Sequence, residues 1–289
     1  MDPTPLIRLR ALMQEMGSML VAYSGGVDSA LLMTVARQEL GDRAAALTAV
    51  SDSLPEGELA DAKAYAEKLG IRHILAPSNE MERPGYRENL GDRCFHCKSE
   101  LFDITTIEAA RWGYRWVADG TIVDDLAEHR PGLRAAANHA VRHPLAEAGF
   151  TKVFVREAAQ ALGVPTWAKP SAPCIASRIA VGTQVTPGRL GRIGRAEKSI
   201  RALGFQIFRV RVHALGSVEL ARIEIDLAEW PRVTVPSVRD ALLAACKEEG
   251  FSWITLDLQG YRKGSVATPD LAIAPNPSTP AIAPVSSSS

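Results

Sequence analysis

The sequence predicts a doubly wound parallel α/β sheet followed by a second, smaller α+β unit, and three observations carry that expectation. Near the N-terminus the apolar run Met19-Leu20-Val21-Ala22-Tyr23 leads into the small-residue loop Ser24-Gly25-Gly26-Val27-Asp28-Ser29, after which Ala30-Leu31-Leu32-Met33 continues as a helix. Strand and helix signals then alternate through the first half of the chain. Beyond Pro165, Pro170 and Pro173 the rhythm changes to two-residue alternation, the mark of half-buried antiparallel strands. The expected layout is residues 1–165, residues 166–265, and a polar tail over 266–289.

Each element has a local cause. Arg43 to Val50 is a short apolar run that fits a buried parallel strand. Ser53-Leu54-Pro55-Glu56 has the spacing of a capping box. Leu59, Ala62, Ala66 and Leu69 follow at helical spacing, and Gly70 stops that helix. Ile71 to Ala76 reads as the next strand. A helix from about Lys98 to Trp112 ends at Gly113, and Trp116-Val117-Ala118 forms a strand leading into Asp119-Gly120. Thr151 to Leu162 reads as a capped helix, with Val155, Ala158, Ala159 and Leu162 on one face and Gly163 at its end. Val210 and Val212 alternate with Arg209, Arg211 and His213, predicting a strand with a basic outer face. Ala221, Ile223 and Ile225 alternate with Arg222, Glu224 and Asp226 as its antiparallel partner. Pro236-Ser237 opens a helix that carries Val238, Leu242 and Cys246 on one face, and Trp253 to Leu258 supplies a last strand. From about Val266 five prolines and four closing serines predict disorder.

Composition narrows the function. The 33 basic and 33 acidic residues cancel, so whole-chain charge demands neither nucleic acid nor an anionic membrane. No apolar run approaches membrane-spanning length, and no charged-then-apolar leader opens the chain. Four cysteines in a chain this long make no disulfide framework, so the thiols read as reduced and the expected location is the cytoplasm.

The chemistry concentrates in a few segments. In Ser24–Ser29 two glycines remove Cβ atoms where backbone N–H groups close on phosphate oxygens, and Ser24 and Ser29 add hydroxyl donors. Asp28 is a carboxylate in a phosphate-attracting loop, which suits a Mg²⁺ counter-ion. Cys94-Phe95-His96-Cys97 is a CxxC motif open to redox, zinc or iron–sulfur roles. His96 lies inside the motif and is poorly placed to turn back on the same ion, and Cys246 sits on an apolar helix face as a small buried hydrophobe. Three thiolates on a [4Fe–4S] cluster would leave one iron open to a ligand such as sulfide. Cys174 follows two prolines and precedes Ser177 and Arg178, whose guanidinium is expected to stabilise a reactive thiolate. Between Arg178 and Arg211 stand eight basic residues and one acid, Glu197. Arg209 and Arg211 share a strand face and suit a substrate phosphate or carboxylate, or else a salt bridge to Glu224. His139 and His143 have metal-pair spacing, but Pro144 follows and no HExxH glutamate is present.

The Ser24–Ser29 loop resembles the PP-loop of ATP pyrophosphatases, which have a HUP-like fold and split ATP into AMP and pyrophosphate. Over about residues 5–265 the chain resembles the ATP-dependent sacrificial sulfur transferases, the LarE family. The resemblance rests further on Glu58 with Ala62, Asp119-Gly120-Thr121 with Asp124-Asp125, and Thr151-Lys152. It continues through Pro173-Cys174-Ile175-Ala176-Ser177-Arg178, Gly182-Thr183, Arg209-Val210-Arg211 and Ala221-Arg222-Ile223-Glu224. It implies that ATP adenylates a carboxylate of pyridinium-3,5-biscarboxylic acid mononucleotide. Sulfur then displaces AMP and leaves a thiocarboxylate, in the biosynthesis of the nickel-pincer nucleotide. Asp119 and Gly120 would border the nucleotide. Arg209, Arg211 and Glu224 would sit in the substrate and phosphate region, and Glu197 near Cys174. Members with only the cysteine matching Cys174 lose its sulfur and keep dehydroalanine. Members that also carry cysteines like Cys94 and Cys97 hold a [4Fe–4S] cluster on three thiolates, and this chain is similar to those. A homo-oligomer, such as a hexamer, is implied as well. Three rival readings are a tRNA thiolase, a non-catalytic ATP or redox sensor, and an amide-forming PP-loop ligase.

Overall fold

A computed structural model describes residues 4–262 except 56, 127–130 and 170–172. The tail expected to be disordered, 266–289, lies outside the described residues. The first sheet holds four parallel strands: β1 (Met19–Ala22), β2 (Ala44–Val50), β3 (Arg72–Pro77) and β4 (Trp116–Asp119), in the order β3-β2-β1-β4. Its helices are α1 (Thr4–Met16), α2 (Val27–Leu40), α3 (Glu58–Leu69), α4 (Pro84–Glu88) and α5 (Arg93–Trp112). They continue as α6 (Val123–Leu126), α7 (Pro131–Asn138), α8 (Pro144–Glu147) and α9 (Lys152–Ala161).

Two-residue alternation divides the side chains of this sheet between two cores. Met19 and Val21 of β1, with Ala44 and Ala46 of β2, pack with α1, α2, α3 and α9. Leu20, Ala22, Ala45 and Leu47 point the other way, onto Phe102 and Ala109 of α5 and Ala135 and Ala136 of α7. Both faces are therefore covered, the arrangement that parallel strands require. The strand order reverses between β1 and β4, and the carboxyl ends of these two strands border a cavity there.

The second sheet is β5 (Phe208–Leu215), β6 (Val218–Ile225) and β7 (Trp253–Leu256), in that order. β5 and β6 are antiparallel, joined through Gly216 and Ser217 in a tight turn, whereas β6 and β7 are parallel. Helices α10 (Pro187–Ala202), α11 (Trp230–Val233) and α12 (Pro236–Lys247) accompany it. Its core joins Ile193 and Ile200 of α10, Val210 and Val212 of β5, and Leu242 and Cys246 of α12. Tyr86 of α4 is buried in this second core, and Met81 and Cys97 pack against it, so the 81–97 segment stitches the two halves together.

Three expectations are corrected. Helix α3 begins at Glu58 behind Gly57, which takes a left-handed φ of 86°. Ser53 caps nothing there, because its hydroxyl donates to the buried Glu80 carboxylate at 2.5 Å. The face of β5 that carries Arg209 and Arg211 is not an outer face: both are buried, Arg211 against Glu224 and the Ile175–Arg178 turn and Arg209 beneath the Tyr261 ring. Helix α5 starts at Arg93 rather than Lys98, which places Cys94 and Cys97 in its opening turns.

Gly120 shows how closely the loops after β1 and β4 meet. A Cβ there would lie 2.7 Å from the Ser29 backbone nitrogen and 3.0 Å from Asp28 C and Ser29 Cα. These are backbone atoms at the start of α2, and they cannot swing aside. Gly120→Ala is expected to destabilise the fold by about 1–3 kcal/mol, read by urea unfolding. Unchanged stability would refute this packing.

Candidate functional site

The loop after β1 is tied up by its own serines. The Ser24 backbone N–H donates to Ser29 Oγ at 3.2 Å, the two hydroxyls lie 3.1 Å apart, and Ser29 Oγ donates to the Gly26 carbonyl at 3.2 Å. Gly25 takes φ +78°, a left-handed conformation that glycine adopts without strain. Gly26 is the N-cap of α2 and has no side-chain cap, so the first-turn N–H groups remain available to an anion. Asp28, in that turn, is held by Lys152 Nζ at 2.7 and 2.8 Å, and the Lys152 backbone N–H donates to Asp124 at 3.0 Å.

Asp119 closes the floor of the crevice. It is buried, receives the Thr121 N–H at 3.1 Å, lies 2.7 Å from His143 Nδ1, and has Lys98 Nζ at 3.8 Å. Burial pushes its pKa up, but the hydrogen bond from His143 and the Lys98 charge outweigh that and hold it down at about 2. His139 meets a different carboxylate, Asp103, at 2.7 Å, so the two histidines do not converge on one point. His96 turns to Asp92 at 3.1 Å and packs over Gly85, where a Cβ would lie 2.1 Å from its ring nitrogen.

One cavity of about 550 Å³ runs from the Ser24–Ser29 loop, past Asp119 and Gly120, to Cys97 and Cys174. Cys94 is exposed at the same end of α5, and its charge would act on Cys174, as that of Cys174 would on Cys97. Burial pushes the Cys174 thiol up while Arg93 opposes the rise; burial and the Glu80 carboxylate push Cys97 well up. Cys246 lies apart in the second core, where burial raises its thiol to about 12. Among the described residues, no three His, Cys, Asp or Glu side chains are grouped so as to hold a metal ion.

The Cys174 loop is held from beneath by buried charge. Arg178 donates to both Glu197 oxygens, at 3.0 and 2.9 Å, and its remaining terminal nitrogen reaches the Pro173 and Cys174 carbonyls at 2.6 and 3.0 Å. Arg211 pairs with the fully buried Glu224 at 2.9 Å and donates to the Ser177 carbonyl at 3.0 Å. This corrects two expectations. Arg178 engages a carboxylate and loop carbonyls rather than the Cys174 thiolate. Arg209, Arg211 and Glu224 do not border the cavity: they are buried on the β5–β6 pair, where Arg211 makes the salt bridge to Glu224 that the sequence offers as the alternative, while Glu197 lies beneath the Cys174 loop through Arg178. Arg209 stacks over Tyr261 at 5.1 Å and donates to the Phe208 carbonyl.

Sequence reasoning missed Glu80, which is 2% exposed and accepts hydrogen bonds from Ser53 and Tyr86 beside Cys97. It also missed Asn89, whose amide donates to the carbonyls of Ala180 and Thr183 across the seam and whose Oδ1 takes Arg93. Asn89 has φ +55°, which asparagine tolerates better than most residues, and that is the only local signal it carries.

No protein-family model matches the chain. Over 261 residues, 90% of this chain and 96% of the other, it is 43% identical to an uncharacterised protein of Synechocystis sp.. Over 257 residues, 89% of this chain and 91% of the other, it is 33% identical to the pyridinium-3,5-bisthiocarboxylic acid mononucleotide synthase of Lactiplantibacillus plantarum, a LarE protein. The chain belongs to the LarE family. A more distant likeness, 29% over 161 residues and half of each chain, joins it to one component of the glutamine-hydrolysing GMP synthase of Methanothermobacter thermautotrophicus. The LarE match spans 89% of the chain, so it is not confined to the nucleotide-loop half. No helix among the described residues is long and apolar enough to cross a membrane.

Two outcomes follow from the charges. Arg178→Met leaves Glu197 buried without its partner and is expected to cost about 3–5 kcal/mol in urea unfolding. Replacing both residues by methionine should restore most of that stability without restoring activity, because the Pro173 and Cys174 carbonyls lose their donor. Equal stability of the single variant and wild type would refute the pairing. Asp119 has a folded pKa below its unfolded value near 4. Its stabilisation is therefore present above about pH 4 and fades as pH falls towards 2. Asp119→Asn should flatten that acid limb, and an unchanged limb would show that the carboxylate contributes nothing there.

Proposed function

We propose that this protein is an ATP-dependent sulfur transferase that thiolates a carboxylate of pyridinium-3,5-biscarboxylic acid mononucleotide on the route to the nickel-pincer nucleotide. One observation carries the reading: a single cavity is bordered by a phosphate-binding loop at one end and by Cys97 and Cys174 at the other. The named Lactiplantibacillus relative supports the same substrate class.

The Ser24–Ser29 loop N–H groups and the Lys152 ammonium hold the ATP phosphates, with Asp28 facing the Mg²⁺ that the nucleotide carries. Asp119 and Gly120 border the nucleotide. The substrate carboxylate attacks the α-phosphorus and pyrophosphate leaves, giving a mixed anhydride whose leaving group is AMP. Sulfur presented beside Cys174 attacks the activated carbonyl carbon, AMP departs, and a thiocarboxylate remains. Arg178 and Glu197 act through the loop they hold, as positioning residues.

Cys97 and Cys174 line the cavity and Cys94 stands nearby on α5; the three are not gathered into a metal-holding group among the described residues, but as soft thiolates their chemistry suits an iron–sulfur cluster better than a hard cation. A [4Fe–4S] cluster held by Cys94, Cys97 and Cys174 would supply a fourth iron open to exogenous sulfide. Sacrifice of Cys174 and delivery from such a cluster differ in what happens to the cysteine's own sulfur.

A small-molecule acceptor is favoured over tRNA because much of the basic stretch is paired with carboxylates. Arg189 and Arg192 pair with Glu219, Arg195 pairs with Glu249, and Arg178 pairs with Glu197. Such a surface offers little to a phosphate backbone.

Incubation with MgATP and the biscarboxylate mononucleotide is expected to release pyrophosphate only when both are present, with AMP following when sulfur, from added sulfide or from Cys174, attacks the adenylate. Absence of mononucleotide-dependent pyrophosphate release would overturn the reading. Protein purified without oxygen is expected to be brown, with iron and sulfide near a cubane ratio, and Cys94→Ala is expected to bleach it. Colourless, iron-free wild type, together with loss of H₂S mass from Cys174 on turnover, would replace delivery by sacrifice.

A further inference from the structure

Four cations border the cavity among the described residues: Lys98, Lys152, Arg156 and Lys169. Three already face carboxylates. Lys98 has Asp119, Lys152 has Asp28, and Lys169 has Glu58 and Asp61. Arg156 differs: it is exposed at the cavity wall, and its guanidinium meets no carboxylate among the described residues.

Its position on α9 gives that freedom a direction. Arg156 stands four residues after Lys152, so the two share a helix face one turn apart. Long side chains on a helix lean back towards its N-terminus, which here is the end where Lys152 grips Asp28 of the phosphate loop. A guanidinium over that turn faces the same anion as the open N–H groups at the start of α2. Its planar fork presents two nitrogens in a fixed parallel geometry that matches two phosphate oxygens, whereas an ammonium acts as a compact point charge.

We infer that Arg156 is the ligand for the β- and γ-phosphates of ATP, clamping the pyrophosphate leaving group against the Ser24–Ser29 loop. This rests on the ATP-splitting reading above and adds a residue to it. The carboxylate-paired lysines must exchange partners to take phosphate, whereas Arg156 can do so without breaking an existing pair. The shared chemistry is a phosphate dianion, and the mononucleotide's own phosphate monoester is the rival source.

The test uses the full chain and isothermal titration with three probes in the presence of Mg²⁺: inorganic pyrophosphate, AMP, and ribose 5-phosphate. Arg156→Gln is expected to weaken pyrophosphate binding about 10- to 100-fold, the loss of charge-assisted hydrogen bonds. AMP affinity should stay within about threefold, a margin under 1 kcal/mol on the same scale. Arg156→Lys should recover part of the loss, and thermal unfolding of both variants should match wild type because the side chain is exposed. Equal pyrophosphate affinity in wild type and Arg156→Gln would overturn the assignment while leaving ATP use intact. Selective loss of ribose 5-phosphate binding would also overturn it, by moving Arg156 to the mononucleotide. A wild type that binds neither ATP nor pyrophosphate would overturn both this inference and the function beneath it.

Discussion

The pairing of Arg178 with Glu197 under the Cys174 loop is the interaction on which the cysteine end of the cavity depends. Both side chains are almost fully enclosed, at 4% and 9% exposure, where an unpartnered charge would be severely destabilising. The geometry offsets that cost because every strong donor on Arg178 has an acceptor. Two of those acceptors are the carbonyls of Pro173 and Cys174, so the ion pair and the loop form one rigid unit. Glu197 is committed further by the Val210 N–H at 3.1 Å, which links the loop to β5. A thiol on a loop held in this way keeps a fixed relation to the cavity.

The seam between the two cores explains where chemistry can occur. The segment from Glu80 to Cys97 leaves the parallel sheet, sends Tyr86 into the second core, and returns through α5 to the first. The Ile175 N–H donates to the Ser53 carbonyl at 2.9 Å, and Asn89 reaches the carbonyls beyond Ile179. These cross-links leave a cleft with a phosphate-binding end made by the first sheet and a sulfur-bearing end shared by both halves. The LarE match, which covers 89% of the chain, extends over this cleft.

Charge balance has a structural cause as well. The basic run from Arg178 to Arg211 reads as a surface in one dimension, yet its arginines find Glu197, Glu219, Glu224 and Glu249. Three of the four cations that border the cavity, Lys98, Lys152 and Lys169, likewise face carboxylates.

Local physics made much of this legible from residues alone. The apolar runs of β1 and β2, the stop at Gly70, the Thr151 cap and the small-residue loop all depend on neighbours a few positions apart, and each was recoverable from the sequence. The cysteines of interest were visible for the same reason, since a CxxC and a proline-flanked thiol are short patterns. Only the tertiary structure decided what Arg178, Arg211 and Glu224 do, because their partners are 19 and 13 residues away and are chosen by strand register and the packing of α10. It alone revealed Glu80 beside Cys97, a carboxylate whose sequence neighbours give no hint of burial. Short-range propensity writes itself into adjacent residues; the burial of charge is a property of the assembled core, and no single stretch of sequence contains it.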